Sequence, residues 1–147
     1  AAPAPYDQHI LLVHNVCLSQ EDIEAAKQVM NNVYWTVCPL SNIFIHNALP
    51  PIPLMRANGL DIMLGTDSLS SNDDLDMVKE MVCLHQNFPE VPMAEILTWA
   101  TLNGARFLKK DGVIGSLEAG KKPGIVRISN IDESGCVTVA SSSERIR

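Results

Sequence analysis

A short apolar segment that ends in a carboxylate constrains the fold more than any other feature of the sequence. Residues 60–64 form a nearly continuous apolar run, and Gly65, Thr66, Asp67 and Ser68 follow it directly. Such a run is typical of a strand that is buried on both faces, as in a parallel sheet. Because α/β folds place their chemistry at the carboxyl ends of such strands, Asp67 is a candidate functional residue. The alternative from spacing alone is an aspartate that only caps the following loop.

Strands and helices alternate along residues 9–111. Apolar and β-branched runs predict three strands, at residues 9–13, 33–37 and 60–64. Helical spacing predicts helices at residues 19–32, at 54–58, at 72–87 and from residue 92 onward. Asn72 is the expected N-cap of the third helix, and residues 43–53 are predicted to form a long loop. Short strand–helix crossovers indicate parallel strands with the helices outside.

The pattern changes at both ends of this α/β region. After Gly112, glycines separate short β-like runs, which predict strands at residues 125–129 and 136–140. We therefore expect a boundary near residue 111, with residues 112–147 forming a small β segment. The Pro-rich residues 1–8 are predicted to be a linker. Because the sequence begins without a methionine, we expect it to be part of a longer protein.

Composition excludes several classes of function. The chain has 147 residues, of which 46% are hydrophobic and 19% charged, so it can bury a core of ordinary size. The net charge of −6, without a cluster of lysine or arginine, argues against binding to nucleic acids or anionic membrane surfaces. No apolar run approaches the roughly 18 residues that a membrane span requires.

The four cysteines are scattered and include no Cys-x-x-Cys pair. Their positions are Cys17, Cys38, Cys83 and Cys136. This arrangement forms neither a zinc-ligand pattern nor a dense disulfide framework. Isolated cysteines of this kind are typical of a reduced protein, so we expect a cytoplasmic location.

Polar residues follow the three predicted strands. His14 ends the first, Ser41 and Asn42 follow the second, and Asp67 and Ser68 follow the third. If the strands are adjacent and parallel, an imidazole and a carboxylate converge at one edge, where they could act as acid and base on a water or bind a metal. One histidine and one aspartate are too few for a metal site, because catalytic zinc usually takes three protein ligands. The other histidines are interpreted as structural: His9, His46 and His85.

Five short motifs resemble a known family when they are read in order. They are Val-His-Asn at 13–15, Cys-Pro-Leu-Ser-Asn at 38–42, Gly-Thr-Asp-Ser at 65–68 with Ser-Asn at 71–72, Ala-Thr-Leu-Asn-Gly-Ala-Arg at 100–106, and Gly-Ser-Leu-Glu-Ala-Gly-Lys at 115–121. Together they resemble the C-terminal portion of the metal-dependent amidohydrolases. The most similar branch is the group of cytosine deaminases, guanine deaminases and chlorohydrolase-like enzymes.

The resemblance implies a fold. Residues 9–111 would form the last three βα units of a TIM-type (β/α)8 barrel, and residues 112–147 would form part of a flanking β-sandwich. A complete barrel of this kind needs roughly 250 residues, so this chain would hold only part of it.

The resemblance also implies residue roles. Asp67 would bind one divalent metal, zinc or iron, and take a proton from the attacking water, whose pKa the metal lowers towards about 7. His14 would orient or protonate groups around that water and the substrate. Ser41 and Asn42 would shape the site, and Ser68 and Asn72 would hold the loop after the third strand. These four residues are thus expected to be substrate-binding or site-shaping.

The family's other metal ligands are absent from this sequence. There is no His-x-His pair and no further strand-end histidine with a nearby glutamate. We therefore expect the isolated chain to lack the metal, to be inactive, and to associate with another copy or with the missing N-terminal half of the barrel. The reaction implied for the whole protein is hydrolytic deamination of a purine, a pyrimidine or a related heterocycle. The alternatives are a chlorohydrolase or cyclic amide hydrolase of the same fold, or a non-catalytic α/β assembly module.

Overall fold

Three parallel strands form the centre of the fold. They are β1 (Ile10–Val13), β2 (Val33–Val37) and β3 (Asp61–Leu64), which lie side by side in that order. The predicted parallel sheet is therefore confirmed. The computed structural model describes residues 8–146, so all but the last residue of the predicted linker at residues 1–8 lies outside the described part of the chain.

The connection from β1 to β2 is helix α1 (Gln20–Val29), which begins as the sequence predicts. Ser19 is the N-cap, and its hydroxyl accepts a hydrogen bond from the Asp22 backbone N–H at 3.2 Å. The Asp22 carboxylate in turn accepts the Ser19 backbone N–H at 2.9 Å. This capping box satisfies two of the N–H groups that the start of a helix leaves unpaired.

The connection from β2 to β3 contains two helices, α2 (Pro39–His46) and α3 (Ile52–Ala57). The prediction of a loop over residues 43–53 is therefore wrong at both ends, because residues 43–46 belong to α2 and residues 52–53 to α3. Proline suits the first turn of a helix because the N–H that it lacks has no partner there in any case. The helix ends at Asn47, whose φ of 49° is the left-handed conformation of a helix terminus.

Helices α4 (Met77–Asn87), α5 (Met93–Ala100) and α6 (Leu102–Phe107) follow β3. The N-cap of α4 is Asp76, whose carboxylate accepts the Val78 N–H at 2.8 Å. The prediction that Asn72 caps this helix is therefore wrong, because the Asn72 side chain is engaged elsewhere. Within residues 8–146, none of the helices has the length and apolar character needed to cross a bilayer.

The core lies between one face of the sheet and the helices. Trp35 is in register with Leu12 on one side and Ile62 on the other, so these side chains share a face. Fully buried residues of α1, α3, α4 and α5 pack in the same cluster: Ile23, Met55, Met81 and Ile96. This is the packing expected of strands joined by helical crossovers.

The C-terminal segment adds a two-stranded antiparallel sheet of β4 (Val126–Ser129) and β5 (Ser142–Arg145). The prediction of a strand at residues 136–140 is wrong. Turns occupy this region, in which Ser141 N–H donates to the Thr138 carbonyl at 2.9 Å and Val137 is buried in the main core. In the described part of residues 112–147 only one strand pair is present, so the β-sandwich stays a prediction.

The other face of the sheet is partly uncovered at its edge strand β1. Leu11 and Val13 of the edge strand β1 are 38% and 46% exposed, and they alternate with residues that point into the core. An edge strand with exposed apolar side chains favours pairing with further chain.

We expect the 147-residue chain to associate through this face. Light scattering on the chain alone should give a mass above the 16.1 kDa of the monomer. Replacing both Leu11 and Val13 by lysine should lower that mass, because two ammonium groups would have to be buried in the contact. Val139→Lys, at a residue that is 81% exposed in the C-terminal segment, is the matched control. A monodisperse monomer for the unaltered chain would contradict this expectation.

Candidate active site

The predicted site residues lie at the carboxyl edge of the sheet. His14 follows β1 directly, Ser41 and Asn42 lie in the first turn of α2 just after β2, and Asp67 lies three residues after β3. Ser41 and Asn42, which were predicted only to follow the second strand, are helical and fully buried. Parallel strands bring all these positions to one edge, as the sequence predicts.

Left-handed backbone conformations turn the chain at His14 and Asp67, with φ values of 72° and 59°. The His14 N–H donates to the Thr36 carbonyl at 2.9 Å, which extends the strand pairing by one residue. The side-chain amide of Asn15 donates to the same carbonyl at 3.1 Å and to that of Leu12 at 3.0 Å. Non-glycine residues adopt this conformation only where their surroundings hold them, often at functional sites.

Two serine hydroxyls hold the Asp67 carboxylate. Ser41 and Ser71 each place Oγ 2.7 Å from Asp67 Oδ2, and the two hydroxyl oxygens are 2.9 Å apart. Both serines are buried, whereas Asp67 itself is exposed. Hydrogen bonds from Ser71 and then Ser41 lower the pKa of Asp67, with a smaller contribution from His14, against the opposing effect of partial desolvation. Asp67 is therefore ionised at neutral pH and offers Oδ1, which neither serine contacts.

The glycine before Thr66 and Asp67 packs closely against the end of β2 and Cys38. A Cβ on Gly65 would lie 3.1 Å from Thr36 Cγ2 and 3.4 Å from Cys38 Sγ. The Gly65 N–H also donates to the Val37 carbonyl at 3.0 Å. A larger residue would require the Thr36 side chain to move by a few tenths of an ångström.

His14 contacts the second of the two consecutive α2 residues. Asn42 Nδ2 lies 3.1 Å from His14 Nδ1, and Asn42 Oδ1 accepts the Cys38 backbone N–H at 3.2 Å. The first turn of α2 therefore contacts both other strand ends: Ser41 bonds to Asp67, and Asn42 bonds to His14.

Further hydrogen bonds connect the first turn of α2 and the loop after β3 to helix α4. Asn72 Nδ2 donates to the Thr66 carbonyl at 2.9 Å and to Glu80 Oε1 at 2.7 Å, while Glu80 Oε2 accepts the Leu40 N–H at 2.9 Å. Glu80 is fully buried, and this burial raises its pKa against the effect of its hydrogen bonds. The loop after β3 and the start of α2 are thus tied to one carboxyl group on α4.

Sequence reasoning missed the roles of Ser71 and Glu80. The signal for Glu80 was a charged residue whose same-face neighbours three and four positions away, Met77, Cys83 and Leu84, are apolar. Ser71 could be found only from its spacing of four residues after Asp67. Ser68, which was predicted to hold the loop, has a main-chain carbonyl that accepts the Ser71 backbone N–H at 3.1 Å and lies 3.3 Å from Ser71 Oγ.

The cysteines near the site are not activated as nucleophiles. Burial raises the pKa of the Cys38 thiol to about 12, with further contributions from the charges of Asp67 and Glu80. Burial likewise raises the pKa of Cys83 to about 11. Both thiols are therefore protonated at neutral pH, and thiolate chemistry is not their role.

The described residues do not form a complete metal site by themselves. Among residues 8–146, no group of three histidine, cysteine, aspartate or glutamate side chains could hold an ion. Asp67 nevertheless fits one position of such a site, because its carboxylate is ionised, exposed and oriented by two hydroxyls. Divalent zinc or iron accepts carboxylate oxygen together with imidazole nitrogen, so the remaining ligands would have to come from chain outside this region.

Residues 4–141 match the Amidohydrolase family over most of the chain. The chain therefore belongs to the amidohydrolase family. It is 36% identical to the 5-methylthioadenosine/S-adenosylhomocysteine deaminase of Moorella thermoacetica, over 83% of this chain and 30% of that protein. It is 30% identical to the S-triazine hydrolase of Gordonia rubripertincta, over 83% of this chain and 27% of that protein.

A solved structure extends this relationship to three dimensions. The adenosine deaminase of Xanthomonas campestris, which was crystallised with bound zinc, superposes with a TM-score of 0.68 at 30% identity. The superposition covers 79% of this chain and 28% of that protein. The chain thus has the fold of the corresponding part of a deaminase and spans less than a third of the length of each relative.

We expect the serine hydroxyls to control the ionisation of Asp67. Replacing both Ser41 and Ser71 by alanine should raise the pKa of Asp67 towards the ordinary 3.8, as followed by ¹³C NMR of its carboxyl carbon. Ser70→Ala, in the same loop, should leave the titration unchanged. A pKa at or above the ordinary value in the unaltered chain would contradict this account.

The same shift predicts a change in stability with pH. The pKa of Asp67 is lower in the folded chain than in the unfolded one, so ionised Asp67 stabilises the fold above the unfolded pKa. This contribution is lost as the pH falls through the folded pKa. The double serine variant should therefore lose less stability on acidification than the unaltered chain in urea titrations.

Proposed function

We propose that this chain supplies two strand-end groups, Asp67 and His14, to the active site of a metal-dependent hydrolase. The reaction is hydrolytic deamination of a purine, a pyrimidine or a related heterocycle. The observation that carries the proposal is the Asp67 carboxylate, which two buried hydroxyls orient at the carboxyl edge of the sheet. Its lowered pKa keeps it available as a ligand and a proton acceptor at neutral pH.

Asp67 would be one ligand of a divalent ion, zinc or iron. When bound, such an ion lowers the pKa of a water and makes it a nucleophile at neutral pH. Asp67 would also accept a proton from the attacking water, because its carboxylate is ionised and is held in place by Ser41 and Ser71. It would return the proton to the departing amino group, so that water adds to a ring carbon and ammonia leaves.

His14 would orient the water and the substrate. Its ring is held by Asn42 through Nδ1, which leaves Nε2 for contact with reacting groups. Ser41 and Asn42 would shape the site by holding Asp67 and His14. Ser68 and Asn72 would hold the loop that carries Asp67, through the contacts with Ser71 and Thr66.

Deamination is favoured over other hydrolytic reactions by the relatives of the chain. The proteins from Moorella thermoacetica and Xanthomonas campestris are deaminases of adenine-containing compounds. The S-triazine hydrolase of Gordonia rubripertincta supports the second candidate, hydrolytic displacement of another group from a heterocycle, which includes dechlorination. Cyclic amide hydrolysis would use the same carboxylate and imidazole.

A non-catalytic assembly module is the competing class. In that case His14 and Asp67 would be structural only, and the complete protein would bind no ion at this edge. A strand that ends in His-x-His in polypeptide preceding Ala1 would favour the enzyme.

The proposal includes partners and a location. The remaining ligands would come from an N-terminal half of the barrel, so the isolated chain should be inactive, and homo-oligomerisation through the exposed sheet face is part of the proposal. The division into residues 9–111 and a flanking β-sandwich segment at 112–147 stays a prediction. The four unpaired cysteines support a reducing, cytoplasmic location.

The complete protein that contains this chain should release ammonia from at least one member of a panel of heterocyclic amines. Asp67→Ala should lower kcat/KM by roughly 10²- to 10⁴-fold or more, because it removes both a proton acceptor and a metal ligand. Metal content after dialysis should fall in parallel.

Asp73→Ala is the matched control, because Asp73 is an exposed acid on the same loop. Full activity in Asp67→Ala would refute the role of Asp67. Release of chloride or ring opening without ammonia would select the second candidate function.

A further inference from the structure

Asn42 lies between the main chain of α2 and the ring of His14. It is completely buried, with Oδ1 3.2 Å from the Cys38 backbone nitrogen and Nδ2 3.1 Å from His14 Nδ1. The backbone of Asn42 is fixed as well, because its N–H donates to the Cys38 carbonyl at 2.8 Å. The amide therefore has one orientation relative to both partners.

That orientation determines which nitrogen of His14 carries a proton. A backbone N–H can only donate, so the group facing Cys38 must be the amide oxygen. The amide NH₂ of Asn42 then faces His14 and can only donate. His14 Nδ1 must accept this hydrogen bond, so in the neutral ring the proton lies on Nε2.

We propose that Asn42 is a positioning residue that fixes His14 in the Nε2–H tautomer. The catalytic importance of this tautomer rests on the function proposed above, in which His14 orients the water and the substrate. With Nδ1 occupied, Nε2 presents a hydrogen-bond donor to the reacting groups. The main chain of His14 is fixed as well, because its N–H donates a hydrogen bond to the Thr36 carbonyl at 2.9 Å.

The neighbouring residue shows why this role belongs to Asn42. Ser41 and Asn42 are adjacent, but the serine side chain contacts Asp67 and Ser71, whereas the asparagine side chain contacts Cys38 and His14. A serine or alanine at position 42 could not span the distance from the Cys38 N–H to the ring. An aspartate could span it, but it would offer an acceptor to Nδ1 in place of a donor.

The tautomer can be measured directly in the unaltered chain. Long-range ¹H–¹⁵N NMR of the ¹⁵N-labelled protein separates protonated from unprotonated ring nitrogens, and it is recorded in the pH range where the shifts no longer change. The proposal predicts that Nδ1 of His14 has the downfield shift of an unprotonated nitrogen and Nε2 the upfield shift of a protonated one. The reverse pattern would overturn it.

Two variants make the test specific. Asn42→Asp should move the His14 pattern towards the Nδ1–H form, because one carboxylate oxygen can accept from Cys38 and the other from Nδ1. Ser41→Ala, which alters the contact with Asp67, should leave the His14 tautomer unchanged. A folded Asn42→Asp chain that keeps the Nε2–H pattern would contradict the proposal. If Asn42→Asp does not fold, the spectra of the unaltered chain and of Ser41→Ala still show which ring nitrogen of His14 carries the proton, and so test the proposal.

Failure of this proposal and failure of the proposed function are distinguishable. The tautomer is measured without substrate, metal or turnover. An Nε2–H tautomer in a protein that releases no ammonia would refute the deaminase and leave the positioning of His14 established. An Nδ1–H tautomer in an active deaminase would refute only the role of Asn42.

Discussion

The rest of the site depends on the hydrogen bonds that Ser41 and Asn42 make from the first turn of α2. Ser41 bonds to Asp67 beyond β3, and Asn42 bonds to His14 beyond β1, so two adjacent residues connect the ends of all three strands. Both residues are fully buried, which leaves their polar atoms no alternative in water. Buried polar groups that find partners in only one arrangement specify that arrangement. The spacing of carboxylate and imidazole is thereby set by one helix turn.

The sheet explains why these partners meet there. Its helix-facing side is closed by Trp35 and Ile62 with the surrounding helices, whereas Leu11 and Val13 of β1 are partly exposed on the other side. The described residues also contain no complete set of metal ligands. Both features agree with a chain that spans less than a third of the length of its relatives.

The sheet and the strand-end positions could be predicted because local signals and the required topology agree. The runs at β2 and β3 are apolar and short, and a helix between successive strands favours parallel pairing. Helix α2 was missed because its residues Ile43, Phe44 and Ile45 favour strand or loop. The helix is instead stabilised at its start by Pro39 and by the hydrogen bond between Asn42 and Cys38. Strand β5 was missed because Ser142–Arg145 has no apolar alternation and is defined only by pairing with β4. The roles of Ser71 and Glu80 depend on loop geometry, which residue spacing alone does not give.

The central claim is that Asp67 is a metal ligand whose geometry is set by Ser41 and Ser71. The most direct measurement is a crystal structure of the complete protein with zinc, in which anomalous scattering locates the ion. The account predicts the ion at the carboxyl edge of the sheet, bound by a carboxylate oxygen of Asp67 at about 2.0–2.2 Å, with both serines still bonded to the other oxygen. An ion located elsewhere, or a zinc-loaded protein in which Asp67 contacts only the two serines, would contradict it.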